Sequence, residues 1–81
     1  MRKKSARQKR KLRELLRQFR EKAGLRQIDL ADRLSRPQSF VSKYESGEKT
    51  LNFLELIEVC HALDVPLIDF VARFEQEADE S

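Results

Sequence analysis

The stretch from Gln27 to Gly47, QIDLADRLSRPQSFVSKYESG, restricts the possible folds more than any other part of the chain. Ile28, Leu30, Ala31 and Leu34 recur at helical spacing before Ser35-Arg36-Pro37 interrupts the pattern. Pro37 has no N–H to donate and a fixed φ, so it suits the first turn of a new helix and not the middle of an old one. The spacing therefore predicts a helix over Gln27–Leu34, a tight turn, and a second helix from Pro37 or Gln38 to Ser46, ended by Gly47. Ala31 is small enough to let the two helices cross closely. With residues spaced at about 100° around the second helix, Pro37, Val41 and Tyr44 share one face, with Phe40 on its flank. Gln38, Ser39, Ser42 and Lys43 share the opposite face. The first face is an ordinary core face. The second is small and polar, tipped with an amide and an ammonium that no core requires.

The segments on either side are helical too. Leu12, Leu15, Leu16, Phe19 and Ala23 form one apolar stripe, followed by Gly24 as the expected left-handed terminator and Leu25 packing the turn. Asn52 with Glu55 reads as an N-cap and its reciprocal partner. It starts a helix whose stripe is Phe53, Leu56, Ile57, Cys60 and Leu63. Asp64 closes that helix, and Pro66 starts a last one carrying Leu67, Phe70, Val71 and Phe74. With two Gly, two Pro and no sustained alternation of apolar and polar residues, the chain is expected to be all-α, a compact five-helix bundle. At 81 residues it forms one small domain, over 12–74, with a core near the lower practical limit.

The formal charge of +3 conceals a gradient. Residues 1–22 hold eleven Lys and Arg against two Glu, whereas residues 50–81 hold one Arg against eight acids. Such a split suits a polyanionic partner on one side only. Residues 1–11 are expected to form a mobile basic arm, either simply solvated or tracking nucleic-acid phosphates, although Ser5 with Gln8 is a weak capping box that would start the first helix early. Residues 75–81 form an acidic tail.

Other chemistries find little support. One cysteine builds no disulfide framework, and Cys60 lies on an apolar stripe as a core thiol. His61 faces elsewhere, so the two make neither a metal site nor a nucleophile–base pair. The carboxylates of 75–80 have no rigid partners, and there is no glycine-rich phosphate loop. No enzyme activity, cofactor, metal or small-molecule ligand is expected. No secretory segment follows Met1, and no apolar run approaches the roughly 18 residues of a membrane span, so a cytoplasmic, nucleoid-associated protein is expected.

Residues 12–74 resemble the phage-repressor, Cro-like helix-turn-helix family (XRE type, lambda-repressor-like). The resemblance is carried by Arg20, Leu25, Gln27, Leu30-Ala31, Leu34, Val41-Ser42-Lys43, Glu45, Gly47, Leu56, Ala62-Leu63 and Val65. It implies a sequence-specific DNA-binding transcriptional regulator, a repressor of phage or prophage type, that places the helix at about 37–46 in the major groove. Gln38, Ser39, Ser42 and Lys43 would then face base edges. A Gln amide can bind adenine N6/N7, and an ammonium can donate to guanine O6/N7. Gln27 would hold a phosphate and brace the first residue of the reading helix, with Lys49, Thr50 and Asn52 on the neighbouring phosphates. The resemblance also implies an ion pair between Arg20 and Glu45.

Four positions depart from the family pattern: Arg26 in place of a capping Thr or Ser, Arg36 in place of a buried Val, Pro37 in place of a capping Ser, and the bulky Phe40. Arg36 would pack its stem and reach a phosphate with its head. Phe40 would pack on the preceding helix or touch a thymine methyl. Leu67, Phe70, Val71 and Phe74 either close the core or form the interface of a homodimer on a palindromic operator. An alternative reading is an antitoxin or adaptor-type protein-interaction module on the same fold, and a third is RNA binding through the arm.

Overall fold

The computed structural model describes residues 2–77, with side chains from residue 5 onwards. Helix α1 spans Arg2–Lys22, α2 Gln27–Leu34, α3 Gln38–Ser46, α4 Phe53–Ala62 and α5 Leu67–Gln76. The fold is all-α, and no strand occurs among the described residues. The most extensive contact is between α2 and α3; α1 packs on α3 and α5, and α4 bridges α2 and α5. Leu15 and Leu16 of α1, Leu30, Ala31 and Leu34 of α2, Phe40, Val41 and Tyr44 of α3, Val59 and Cys60 of α4, Leu63, and Phe70 of α5 meet in one buried cluster. Ala31 is completely buried where α2 and α3 cross, as a close crossing requires.

Three of the helix ends close in the same way. Leu25 N–H donates to the Arg20 carbonyl, Arg36 N–H to Ala31, and Val65 N–H to Cys60, at 2.9–3.1 Å. Each bridges a residue in the left-handed region: Gly24, Ser35 and Asp64, with φ of 75°, 55° and 59°. This six-to-one closure satisfies carbonyls that the helix end leaves orphaned. Gly24 meets the expectation, but Ser35 does not advertise itself, because only its conformation and not its type marks the stop. The turn between α2 and α3 is therefore set by backbone hydrogen bonds, with Pro37 as the N-cap of α3 at φ −65°.

Several sequence expectations need correction. Helix α1 begins at Arg2, so residues 2–11 continue it and do not form a separate arm. Arg, Lys and Gln are good helix formers. Lys11 adds a tertiary tie: its Nζ donates to the Glu77 carbonyl at 3.3 Å and sits 4.4 Å from the Phe74 ring centroid. On α3 the core face is Phe40, Val41 and Tyr44, and Pro37 is exposed. Ile28 lies at the surface. Helix α4 keeps Leu56, Cys60 and Leu63 of its expected stripe against the core, but Val59 is buried with them while Phe53 and Ile57 are 63% and 36% exposed. Apolar residues flank the stripe on both sides, and packing against α2 selects among them. Of the residues offered for a dimer interface, Phe70 is only 2% exposed, and Leu67 and Phe74 pack against the core; Val71 alone lies open. Residues 78–81 of the acidic tail lie outside the described residues.

Candidate nucleic-acid interface

Helix α3 is held from behind by one carboxylate. Arg20 donates from Nε to Glu45 Oε2 at 2.7 Å and from Nη2 to Oε1 at 3.0 Å. Its Nη1 donates to the Leu25 carbonyl at 2.7 Å. Gln27 Nε2 donates to the same Glu45 Oε1 at 3.0 Å. The paired side chains are only 10% and 4% exposed, so the pair is desolvated and its bidentate fork geometry is what makes it tolerable. Glu45 thus fastens the C-terminal half of α3 to the end of α1 and the start of α2. Gln27 braces Glu45 and not the first residue of α3, and one of its amide hydrogens is already committed.

The other side of α3 is open. Gln38, Ser39 and Lys43 are exposed, and among the described residues their side chains make no hydrogen bond or ion pair. Ser42 is half-buried and its Oγ donates weakly to the Ser39 carbonyl at 3.4 Å. The four share one face, so a rigid, anchored helix presents an amide, two hydroxyls and an ammonium to solvent. These groups can donate to and accept from flat hydrogen-bonding edges, and with no acid–base pair among them they have no evident catalytic chemistry.

The rim residues are more engaged than the sequence suggests. Arg36 Nη2 donates to Glu58 Oε1 on α4 at 2.8 Å, and its guanidinium lies 4.3 Å from the Phe40 ring centroid. Phe40 is buried, edge-on to Tyr44 with centroids 5.7 Å apart, so it is a packing residue lying under Arg36. The Arg36 stem does pack, but its head is bound to a carboxylate. Lys49 Nζ lies 3.3 Å from Glu55 Oε1. Asn52 Oδ1 accepts the Glu55 N–H at 2.8 Å and Glu55 returns the bond to Asn52 N–H at 2.9 Å, closing a capping box. That backbone bond, and then Lys49, hold the Glu55 carboxyl below its ordinary range. Thr50 is exposed. Sequence reasoning missed Glu58 and the tie of Glu55 to Lys49. The Glu58 contact joins residues 22 apart across two helices, and no local spacing announces it.

Arg26, lacking a capping side chain, is rescued by its neighbour. Asp29 Oδ2 accepts both the Arg26 backbone N–H at 2.8 Å and Nε at 3.0 Å. The side-chain bonds and then the backbone bond from Arg26 draw the Asp29 carboxyl down to about 2. Burial pushes the Cys60 thiol up to about 11, as befits an inert core group. No cluster of His, Cys, Asp or Glu able to hold a metal occurs among the described residues, and no helix there is long and apolar enough to cross a membrane.

A comparison with protein families matches residues 16–70 to a family described as helix-turn-helix. The matched span covers more than half of the chain and every helix described above, at least in part. The chain belongs to the XRE-type helix-turn-helix family. This is a family of DNA-binding regulators and not of enzymes, so the helix-turn-helix of α2 and α3 carries a DNA-binding regulatory function. No curated protein matches the chain.

Proposed function

We propose that the protein is a sequence-specific repressor that inserts α3 into the major groove of an operator. The observation that carries this reading is the division of α3 into an anchored face and an unpartnered polar face. Gln38, Ser39, Ser42 and Lys43 contact base edges, with Gln38 reading adenine and Lys43 reading guanine. Lys49 and Thr50 hold the adjoining phosphates, assisted by the uncommitted amide hydrogens of Gln27 and Asn52. Arg36 joins them by exchanging Glu58 for a phosphate. Contacts of this second kind set affinity and register without reading sequence.

Operator binding by a homodimer fits the geometry of such proteins, whose half-sites lie about one DNA turn, roughly 34 Å, apart. A second reading, an antitoxin or adaptor that docks a protein partner, is favoured by the apolar side chains left open on α4 and α5.

Sites selected from a random duplex library supply the operator for the test. Gln38→Ala then loses about 1–3 kcal/mol at one base pair and relaxes its identity, whereas Lys49→Ala weakens all duplexes alike and flattens the salt slope by about one charge. Equal losses on operator and random duplex for both variants would exclude base reading by α3. Tighter binding to RNA than to duplex DNA at equal salt would redirect the assignment to the basic segment.

A further inference from the structure

The N-terminal half of α1 does more than lengthen a helix. Lys9, Leu12, Arg13 and Leu16 of α1 and Tyr44, Gly47, Lys49, Thr50 and Leu51 line one cleft of about 50 Å³. Its polar wall is Lys9, Arg13, Lys49 and Thr50, two cations from α1 facing a cation and a hydroxyl from the loop after α3. The Arg13 guanidinium lies beside Gly47, where a Cβ would sit 3.0 Å from its carbon, a contact that the flexible end of Arg13 can relieve. Gly47 is needed there for its φ of 90°. Among the described residues neither Lys9 nor Arg13 has a carboxylate partner, and Glu55 on Lys49 is the cleft's one paired acid. Tyr44 adds a buried hydroxyl with no hydrogen-bond partner. The cations continue outward, because Arg7, Lys9, Arg10 and Arg13 line the adjoining hollow.

Lys9 and Arg13, with no carboxylate partner of their own among the described residues, share this cleft with Lys49, and such like charges repel unless an anion joins them. The cleft is small and open to solvent, with room for a compact tetrahedral anion. The loop residues Lys49 and Thr50 are those that the operator-binding reading sets on the DNA backbone, and Lys9 and Arg13 extend the same positive rim along α1.

We propose that this cleft binds one backbone phosphate of the DNA, clamped between Lys9 and Arg13 of α1 and Lys49 and Thr50, outside the base pairs that α3 reads. The inference rests on the DNA-binding reading and adds to it a site on α1. It makes the basic segment a rigid clamp of fixed register in place of a trailing tail.

The test is the salt dependence of binding to a duplex of arbitrary sequence, with the full chain. Lys9→Gln/Arg13→Gln lowers the slope of log K against log[salt] by about 0.9, the loss of this one phosphate contact. Lys22→Gln, at the far end of α1, leaves the slope unchanged and controls for net charge. Lys9 is exposed, so Lys9→Gln alone, with about half the effect, keeps the test valid should the double variant not fold. A folded Lys9→Gln/Arg13→Gln chain with the wild-type slope overturns the clamp and leaves DNA binding standing. A slope lowered as much by Lys22→Gln overturns it as well, since general charge then explains the loss. A wild-type chain that binds no duplex at all overturns both readings together.

Discussion

At the scale of single residues, Glu45 is the one that fastens α3 to the rest of the domain. It accepts three hydrogen bonds, from Arg20 and Gln27, on a carboxylate almost removed from water. A buried pair of this kind adds little net stability compared with an apolar replacement, but removing one partner strands a charge. Arg20→Ala is therefore expected to destabilise the domain by about 3 kcal/mol, because Glu45 keeps only Gln27 and the Leu25 carbonyl loses its donor. Urea unfolding followed by circular dichroism measures this, and a midpoint equal to that of the wild type would show that the pair contributes nothing. Domains of this size have little stability to spare, so the same variant should bind operator poorly through partial unfolding, with the base preference of the folded fraction intact. Gln27, Arg20 and Glu45 could be picked out from the sequence because they match a family pattern. The Arg20–Glu45 pair follows from that pattern, but the bond from Gln27 to the same carboxylate does not, since residues 18 apart meet only once α2 and α3 have packed.

At the scale of elements, each helix boundary shows which signals a sequence carries openly. Gly24, Gly47, Pro37 and the Asn52–Glu55 box mark helix ends by residue type, and each does so in the structure. Asp64 also closes its helix as read, whereas Ser35 stops α2 just as effectively by adopting a left-handed conformation that its type does not demand. On α4 the expected Leu56, Cys60 and Leu63 do face the core, but Val59 joins them in place of Phe53 and Ile57, because apolar residues on both flanks of the stripe leave its edges open to packing. Arg26 reads as a lost cap, yet Asp29 supplies the missing acceptor from within α2. This substitute has a pH dependence that an Asn or Ser cap lacks. The Asp29 carboxyl is drawn from its ordinary 3.8 to about 2. A carboxyl depressed by folding contributes stability that is fully present above its unfolded value and disappears as pH falls through its folded one. The stability difference between wild type and Asp29→Asn should therefore be constant above pH 4 and close towards pH 2. Denaturant titrations of both chains across that window test this, and a difference that stays flat would remove Asp29 from the cap. Because Arg26 is exposed, the side-chain part of the effect should fade in high salt while the bond to the backbone N–H persists.

At the scale of the whole molecule, what remains is an imbalance between core and surface. Phe70 is buried within one chain and Leu67 and Phe74 pack partly buried against the core, so of the four α5 residues first considered for dimerisation only Val71 is open. Yet Phe53, Leu54 and Ile57 on α4 and Ile68 and Val71 on α5 stay open, with Ile68 77% exposed. Ile68 and Val71 are three apart, hence neighbours on one face of α5. On the operator-binding proposal each chain supplies one α3, so two half-sites about 34 Å apart would take two chains. If the outer face of α5 is the isologous contact, every substitution there acts twice. Ile68→Asp removes on the order of 1.5 kcal/mol of apolar burial from each copy, about 3 kcal/mol per dimer, which corresponds to association weakened roughly 100-fold. Sedimentation equilibrium should then show a dimer for the wild type and a monomer for Ile68→Asp at equal concentration. Thermal unfolding of the separated monomer should be little changed, since Ile68 supports no core contact. A wild-type chain that stays monomeric while a co-purified protein leaves with Ile68→Asp would instead assign this face to a partner, as the antitoxin or adaptor reading requires.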